Sequence, residues 1–269
     1  TFNPPYVLYY RGNLPVNDKL VAVVGSRKAS VYGKSAASML ASTLAASNVG
    51  VVSGAARGID TAAHEGAMEK GYTIAVLGSG VDVCYPPENA KLLAQIAETG
   101  AVISEYAPGV MAHPGHFPAR NRIINGLARG VIVIEAAEKS GALITADFAL
   151  EEGRDVFAVP GSIFARSSKG ANRLIKQGAK LVDSATDVLE EYGWETAQTN
   201  KTVSVLTSDE HAVYSLLNYE EPIGIEAIVT KLNVLPATAA YILLQLSLRG
   251  LTVEHSGQRY TSAVREGIE

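Results

Sequence analysis

Six short apolar runs, rich in β-branched residues, punctuate the chain: Leu20–Gly25 (LVAVVG), Val49–Gly54 (VGVVSG), Tyr72–Gly78 (YTIAVLG), Ala101–Glu105 (AVISE), Gly130–Ala136 (GVIVIEA) and Asp155–Pro160 (DVFAVP). They are continuous rather than alternating, which is the pattern of strands covered on both faces of a parallel sheet. Between and after them the apolar positions shift to helical spacing, over Lys34–Ser47, Asp60–Lys70, Glu88–Glu98, Arg120–Ala128, Ala142–Glu152 and Gly170–Gln177. Strand–helix alternation repeated this often predicts an α/β fold with a doubly wound, mostly parallel, Rossmann-like sheet, whose ligands sit at the carboxyl ends of the strands.

The pattern changes after Trp194. Glu195–Ser204 (ETAQTNKTVS) is polar and short of core residues, so it reads as a linker between a large domain, residues 1–194, and a small one, residues 205–269. The small domain shows helical spacing over Asp209–Leu217, Ile225–Leu232 and Ala237–Leu248, and Gly250 stops the last of these. LTVEHSGQRYTS then reads as a hairpin turning at Ser256–Gly257. Three helices and a hairpin predict a winged helix, with a helical cap on the large domain as the alternative.

Composition narrows the function. No apolar run reaches ~18 residues, so no membrane span is expected. The first residues, TFNPPYVLYYRG, lack the basic and apolar regions of a signal peptide. The single cysteine, Cys84, allows neither an internal disulfide nor a cysteine-based zinc site, and fits a reducing cytoplasm. Residues 205–269 hold four cations (Lys231, Arg249, Arg259, Arg265) against eight acids, which accounts for the whole net charge of −4 and leaves residues 1–204 neutral. Pro236–Leu248, the helix that would read a DNA groove, has no cation. The small domain is therefore expected to contact protein rather than duplex, and any nucleic acid must bind a local patch of the large one.

The strand-end turns are the candidate chemistry. After the first run comes Gly25-Ser26-Arg27-Lys28-Ala29-Ser30-Val31-Tyr32-Gly33, without G-x-G-x-x-G spacing or a P-loop. It still offers backbone N–H groups ahead of a helix, a hydroxyl, and a guanidinium suited to phosphate. After the second comes Ser53-Gly54-Ala55-Ala56-Arg57-Gly58, followed by Asp60 as an expected helix N-cap and His64 one turn on. A third small-residue turn, Ser140-Gly141-Ala142-Leu143-Ile144-Thr145, and a fourth, Gly161-Ser162, follow the last two runs, and the four together predict one rim. Catalytic groups are scarce. Cys84 has no evident base, no G-x-S-x-G elbow exists, and His113 and His116 share their segment with no carboxylate. No catalytic residue, metal or cofactor is expected.

Six motifs in order carry a resemblance. GSR (25–27), SGAARGIDTAAHEGA (53–67), IAVLGSGVDVCYPPEN (74–89), ISEY (103–106), FPARNRIINGLA (117–128) and SGALITADFALEEGRDVFAVPG (140–161) resemble the DNA-processing protein A family, also called Smf. The resemblance covers essentially the whole chain. Many members carry a small helical domain ahead of the segment matching residues 1–14, so this chain is expected to be a trimmed or naturally short form. The resemblance implies sequence-independent binding and protection of single-stranded DNA, loading of the RecA recombinase during natural transformation and recombination, homodimerisation, and no turnover.

On that reading the strand-binding residues are Gly25, Ser26, Arg27, Gly54, Arg57, Phe117, Arg120, Asn121, Arg122 and Ser140. Phe117 offers a face for a base, and the arginines offer charge to phosphates, both blind to sequence. Arg120 and Arg122 are two apart, about 200° on a helix, so at most one is expected to face DNA. Arg122 is expected to be the structural one, pinned to a carboxylate such as Glu105 or Glu135. Gly109–His116 has no lysine, so its histidines are expected to stand in and binding to weaken as pH rises. The rival readings are a Rossmann-like nucleoside-monophosphate phosphoribohydrolase, loosely echoed by SGALITADFALEEG but lacking P-G-G-x-G-T, and a nucleotide-sensing scaffold.

Overall fold

In the computed structural model, residues 3–14, 18–196, 206–219 and 221–263 are described. The chain forms two units, residues 1–197 and 198–269. The linker expected at Glu195–Ser204 lies, from residue 197 onward, outside the described residues.

The six apolar runs form strands β2 (Leu20–Val24), β3 (Gly50–Ser53), β4 (Thr73–Val76), β5 (Ala101–Ser104), β6 (Gly130–Val133) and β7 (Asp155–Ala158). Two more extend the sheet: β1 (Tyr9–Gly12), paired antiparallel with β5, and the short β8 (Lys180–Leu181). The order is β1-β5-β4-β3-β2-β6-β7-β8, and all neighbours but the first pair are parallel.

Because side chains alternate along a strand, each strand feeds two cores. Leu20, Ala22, Val24, Val131 and Val133 pack beneath α4 (His116–Leu127), α5 (Gly141–Glu151) and α6 (Lys169–Lys176). Val21, Val23, Val51, Ile132 and Ile134 pack on the other face, against α1 (Val31–Ala46), α2 (Ile59–Met68) and α7 (Ala185–Glu191). A further cluster sets Ala75, Leu77 and Val102 beneath α3 (Ala90–Thr99). The result is the expected doubly wound α/β sheet, mostly parallel.

The chain winds outward from β2 through β3 and β4 to β5, then returns to place β6 on the other side of β2. The carboxyl ends of β2 and β6 therefore part in opposite directions and leave a crevice. The four small-residue turns follow β3, β2, β6 and β7, four neighbouring strands, so they do form one rim.

The small unit contains α8 (Ser208–Tyr214), β9 (Ile223–Gly224), α9 (Ile225–Leu232), α10 (Pro236–Leu248), β10 (Thr252–His255) and β11 (Arg259–Ser262), with an antiparallel sheet ordered β10-β11-β9. Ile228, Ile242, Leu243 and Leu246 lie at its centre. Its hairpin turns through Ser256, Gly257 and Gln258, the last two at positive φ. Among the described residues no single helix is long and apolar enough to cross a membrane; α9 and α10 pass that test only as a pair bent by 115°.

Candidate nucleic-acid interface

The crevice at the switch point opens into a groove of about 760 Å³. One bank is the turn after β2, Gly25 to Lys28; the other is Ser140 to Thr145 at the start of α5. Phe117, Arg120, Asn121 and Ile124 of α4 close one end together with Tyr85, and Arg166 and Ser167 lie in the wall as well.

The banks are held by short side chains from distant segments. Ser30 caps α1 through its hydroxyl, which accepts from Gly33 N–H at 3.0 Å. The buried Glu135 carboxylate, just past β6, accepts from Ser30 N–H (2.9 Å), Ser30 O–H (2.6 Å) and Ser167 O–H (3.3 Å). Glu135 thus ties the loops after β2, β6 and β7 to one another. Gly25 is needed at the lip: a Cβ there would stand 2.6 Å from Ile59 Cγ1 and 3.0 Å from the Glu135 carbonyl.

Phe117 is half-buried on the first turn of α4, its ring tilted against Tyr85 at 5.4 Å. The exposed Arg27 guanidinium stands over the Phe117 ring at 5.0 Å, within cation–π reach. Lys28 is exposed beside it. Aromatic face and cations are thus adjacent in the groove, the pairing that sequence-blind binders of single strands use.

Of the residues expected to meet DNA, Gly25, Ser26, Arg27, Phe117, Arg120, Asn121 and Ser140 line the groove, and Gly54, Arg57 and Arg122 do not. Arg57 is exposed in a pair with Glu88. Arg122 pairs with Glu105, one of the two carboxylates named for it.

Arg120 is the correction. It was expected to be the arginine that faces phosphate, yet it is 4% exposed. Its guanidinium donates to the Gly54 carbonyl (2.7 Å) and the Val76 carbonyl, at the ends of β3 and β4. Those carbonyls lie past the last ladder bond and need a donor. Gly54 makes room: a Cβ there would meet Arg120 Nη2 at 2.5 Å and Asp60 Oδ2 at 2.7 Å. Burial pulls the Arg120 guanidinium down to about 10, against the opposing pull of Asp60.

Asp60 is likewise not the helix cap its position suggested. Gly58 caps α2, and the buried Asp60 carboxylate accepts from Gly54 N–H (3.2 Å) and Ala56 N–H (3.3 Å), holding the turn after β3. Burial pushes its carboxyl up, and Arg120 offsets part of that.

His64 is fully enclosed. The Thr73 hydroxyl donates to the Val51 carbonyl at 2.7 Å, so it accepts from His64 Nδ1–H at 2.7 Å, and Nε2 is left buried without a partner. Burial, then Arg120, pushes this imidazole down to about 3, so it is neutral. His116 donates Nδ1–H to the Gly78 carbonyl (3.1 Å) and stacks on Tyr106 at 4.0 Å, while His113 is exposed.

Lys28, Ile144 and Thr145 line the groove from within the first and third expected turns, while sequence reasoning missed Tyr85 and Arg166 as groove residues. The signal for Arg166 was present, since it follows the fourth small-residue turn.

Residues 1–193 match the family model described as DNA recombination-mediator protein A. The chain is 51% identical over 193 residues to the DNA processing protein DprA of Streptococcus pneumoniae, covering 71% of this chain and 68% of that protein. It is 36% identical to Protein Smf of Synechocystis, covering 96% of this chain and 75% of that one. Among solved structures, DNA processing protein A of Streptococcus pneumoniae superposes with a TM-score of 0.66 at 50% identity, over 71% of this chain and 67% of that one. The Helicobacter pylori protein, described for its single-stranded DNA binding mode, superposes with a TM-score of 0.67 at 31% identity, over 72% of this chain and 90% of that one.

Proposed function

Since the chain belongs to the DNA recombination-mediator protein A family, we propose that its groove binds single-stranded DNA without sequence preference. The observation that carries this is Arg27 standing over Phe117 in a groove at the switch point of the sheet. A stacked base and a neighbouring phosphate are what such a pair accommodates. Arg27, Lys28 and Arg166 supply charge, Ser26, Asn121 and Ser140 supply polar contacts, and Arg120 holds the floor. The binding mode described for the Helicobacter pylori relative supports the same ligand.

The wider role in this reading is that of a cytoplasmic homodimer that protects a strand and loads RecA on it. It follows the family resemblance. The small unit is read as a winged helix that docks protein; α10 carries no cation with which to grip a duplex. Turnover is not part of the proposal. Asp60, among the described residues the carboxylate that lines the groove, is engaged with two backbone amides.

The direct test is titration against oligo-dT and against duplex of equal length at several salt concentrations. Affinity for oligo-dT is expected to be the higher and to fall with salt, because bound cations release counterions. Tighter duplex binding, or release of base from a nucleoside monophosphate, overturns the proposal.

Two variants sharpen it. Arg27→Ala is expected to weaken binding to all sequences alike and to reduce the salt slope by roughly 0.7, the share of one single-strand phosphate; an unchanged slope would make Arg27 a surface residue only. Phe117→Ala is expected to cost ~1–3 kcal/mol of oligo-dT affinity through the lost stack. Melting is measured alongside, because Phe117 is half-buried. A loss confined to stability, with affinity per folded molecule unchanged, would assign the ring to packing.

A further inference from the structure

The loop from Gly161 to Ser168, after β7, enters the groove wall with Arg166 and Ser167 and carries at its tip Ile163 and Phe164, 76% and 90% exposed. The two large apolar side chains are adjacent and bare, a feature that marks a contact surface when it is contiguous. The Asn172 side chain accepts from Gly161 N–H (3.1 Å) and donates to the Gly161 carbonyl (2.9 Å). Tyr32 O–H donates to the Pro160 carbonyl (2.8 Å), and Ser167 bonds to Glu135. Both ends of the loop are therefore anchored beside the groove, and the tip is presented between them.

The charge around it has one sign. Residues 161–178 contain Arg166, Lys169, Arg173 and Lys176 and no acid, although residues 1–204 are neutral as a whole. Lys169, Arg173 and Lys176 fall at i, i+4 and i+7, on the exposed face of α6 opposite its buried Gly170, Ala171 and Leu174. Among the described residues none of the four makes an ion pair. α6 links the parallel neighbours β7 and β8, so it starts beside the groove and runs back along the sheet.

Resting on the reading of the groove as a single-strand site, we infer that Phe164 is a second stacking platform, and that the strand leaves the groove past Arg166 and over it onto the cation row of α6. The site takes one class of ligand, single-stranded DNA longer than the groove itself holds. An aromatic ring followed by evenly spaced cations is the layout that tracks a strand without reading its bases.

The test uses the full chain, Phe164→Ala, the triple variant Lys169→Gln/Arg173→Gln/Lys176→Gln, and oligo-dT of graded length. Phe164 is exposed, so its variant is expected to melt as the wild type does. On long oligo-dT it is expected to bind roughly 5-fold to 150-fold more weakly, the range for one lost stack. On the shortest oligo-dT that the wild type binds, the loss shrinks. The triple variant is expected to lower the salt slope by up to about 2, at roughly 0.7 per phosphate, on long strands only. A Phe164→Ala protein that binds every length as the wild type does, while Arg27→Ala is impaired, overturns the inference and leaves the groove reading standing. If Arg27→Ala and Phe117→Ala are also unimpaired, the groove reading fails first. A Phe164→Ala protein whose sedimentation mass drops would show that the tip seats a second copy of the chain, and also overturns it.

Discussion

Arg120→Ala is expected to cost about 3–5 kcal/mol of stability, the range for stripping one partner from a buried charge network. The side chain is enclosed beneath the groove and bonds to the carbonyls of Gly54 and Val76. Alanine leaves both carbonyls unmet in a dry site and removes the cation beside the buried Asp60. A loss of that size is a large share of the stability of a single domain. Arg120→Lys keeps charge but not the fork that reaches two carbonyls, so it is expected to fall between. Urea unfolding followed through Trp194, the one tryptophan of the sequence, packed on Tyr192 in this unit, reads the effect. Arg27→Ala is the control and should unfold as the wild type does. If Arg120→Ala keeps wild-type stability but loses oligo-dT binding, Arg120 is a phosphate ligand after all.

Acid is expected to weaken the same unit through His64. In the unfolded chain this imidazole takes up a proton near the ordinary 6.5; folded, it stays neutral to about pH 3. Between those values the unfolded state holds the extra proton, so stability falls as pH falls, by up to about 1.4 kcal/mol per unit. At pH 5 the loss is about 2 kcal/mol. Asp60 works the other way, because burial raises its carboxyl and the folded state takes up that proton first. His64→Gln, which does not titrate, isolates the imidazole: its unfolding free energy should lose the downward slope below neutrality. An NMR titration of folded protein in which His64 protonates near pH 6.5 would contradict the burial argument.

The six parallel strands were legible because burial on both faces leaves a continuous apolar run. β1, β8 and β9 were not. Tyr9–Gly12 is an edge strand whose Tyr10 and Arg11 face solvent, and β8 and β9 are two residues each, too short for any period. α7 was missed for the same brevity. Strand order is a long-range property that no local pattern carries, so the rim could be foreseen only as a set of turns.

The burial of Arg120 is legible in its helical register. The residue stands at i in the series that continues with the buried Ile123 and Ile124 at i+3 and i+4 and the half-buried Leu127 at i+7, the core-facing stripe of α4. An arginine in that register points inward unless the helix end overhangs the sheet. Phe117, one turn earlier on the same face, does reach the groove. The distinction lies in where the sheet stops. Gly54 hinted at it, since a residue without a side chain beside a buried guanidinium is space kept clear.

The bond from Ser30 to Glu135 joins residues 105 apart in the chain. During synthesis that separation becomes a delay. A polypeptide emerging from the ribosome carries Arg27 early and Phe117 midway, yet the second bank and Ser167 arrive only with β6 and β7, and β6 must slot in beside β2, a strand made long before. Incomplete chains hold the ring and the cation without the cavity, so competence for a ligand comes close to the end of translation of the large unit rather than growing with its length.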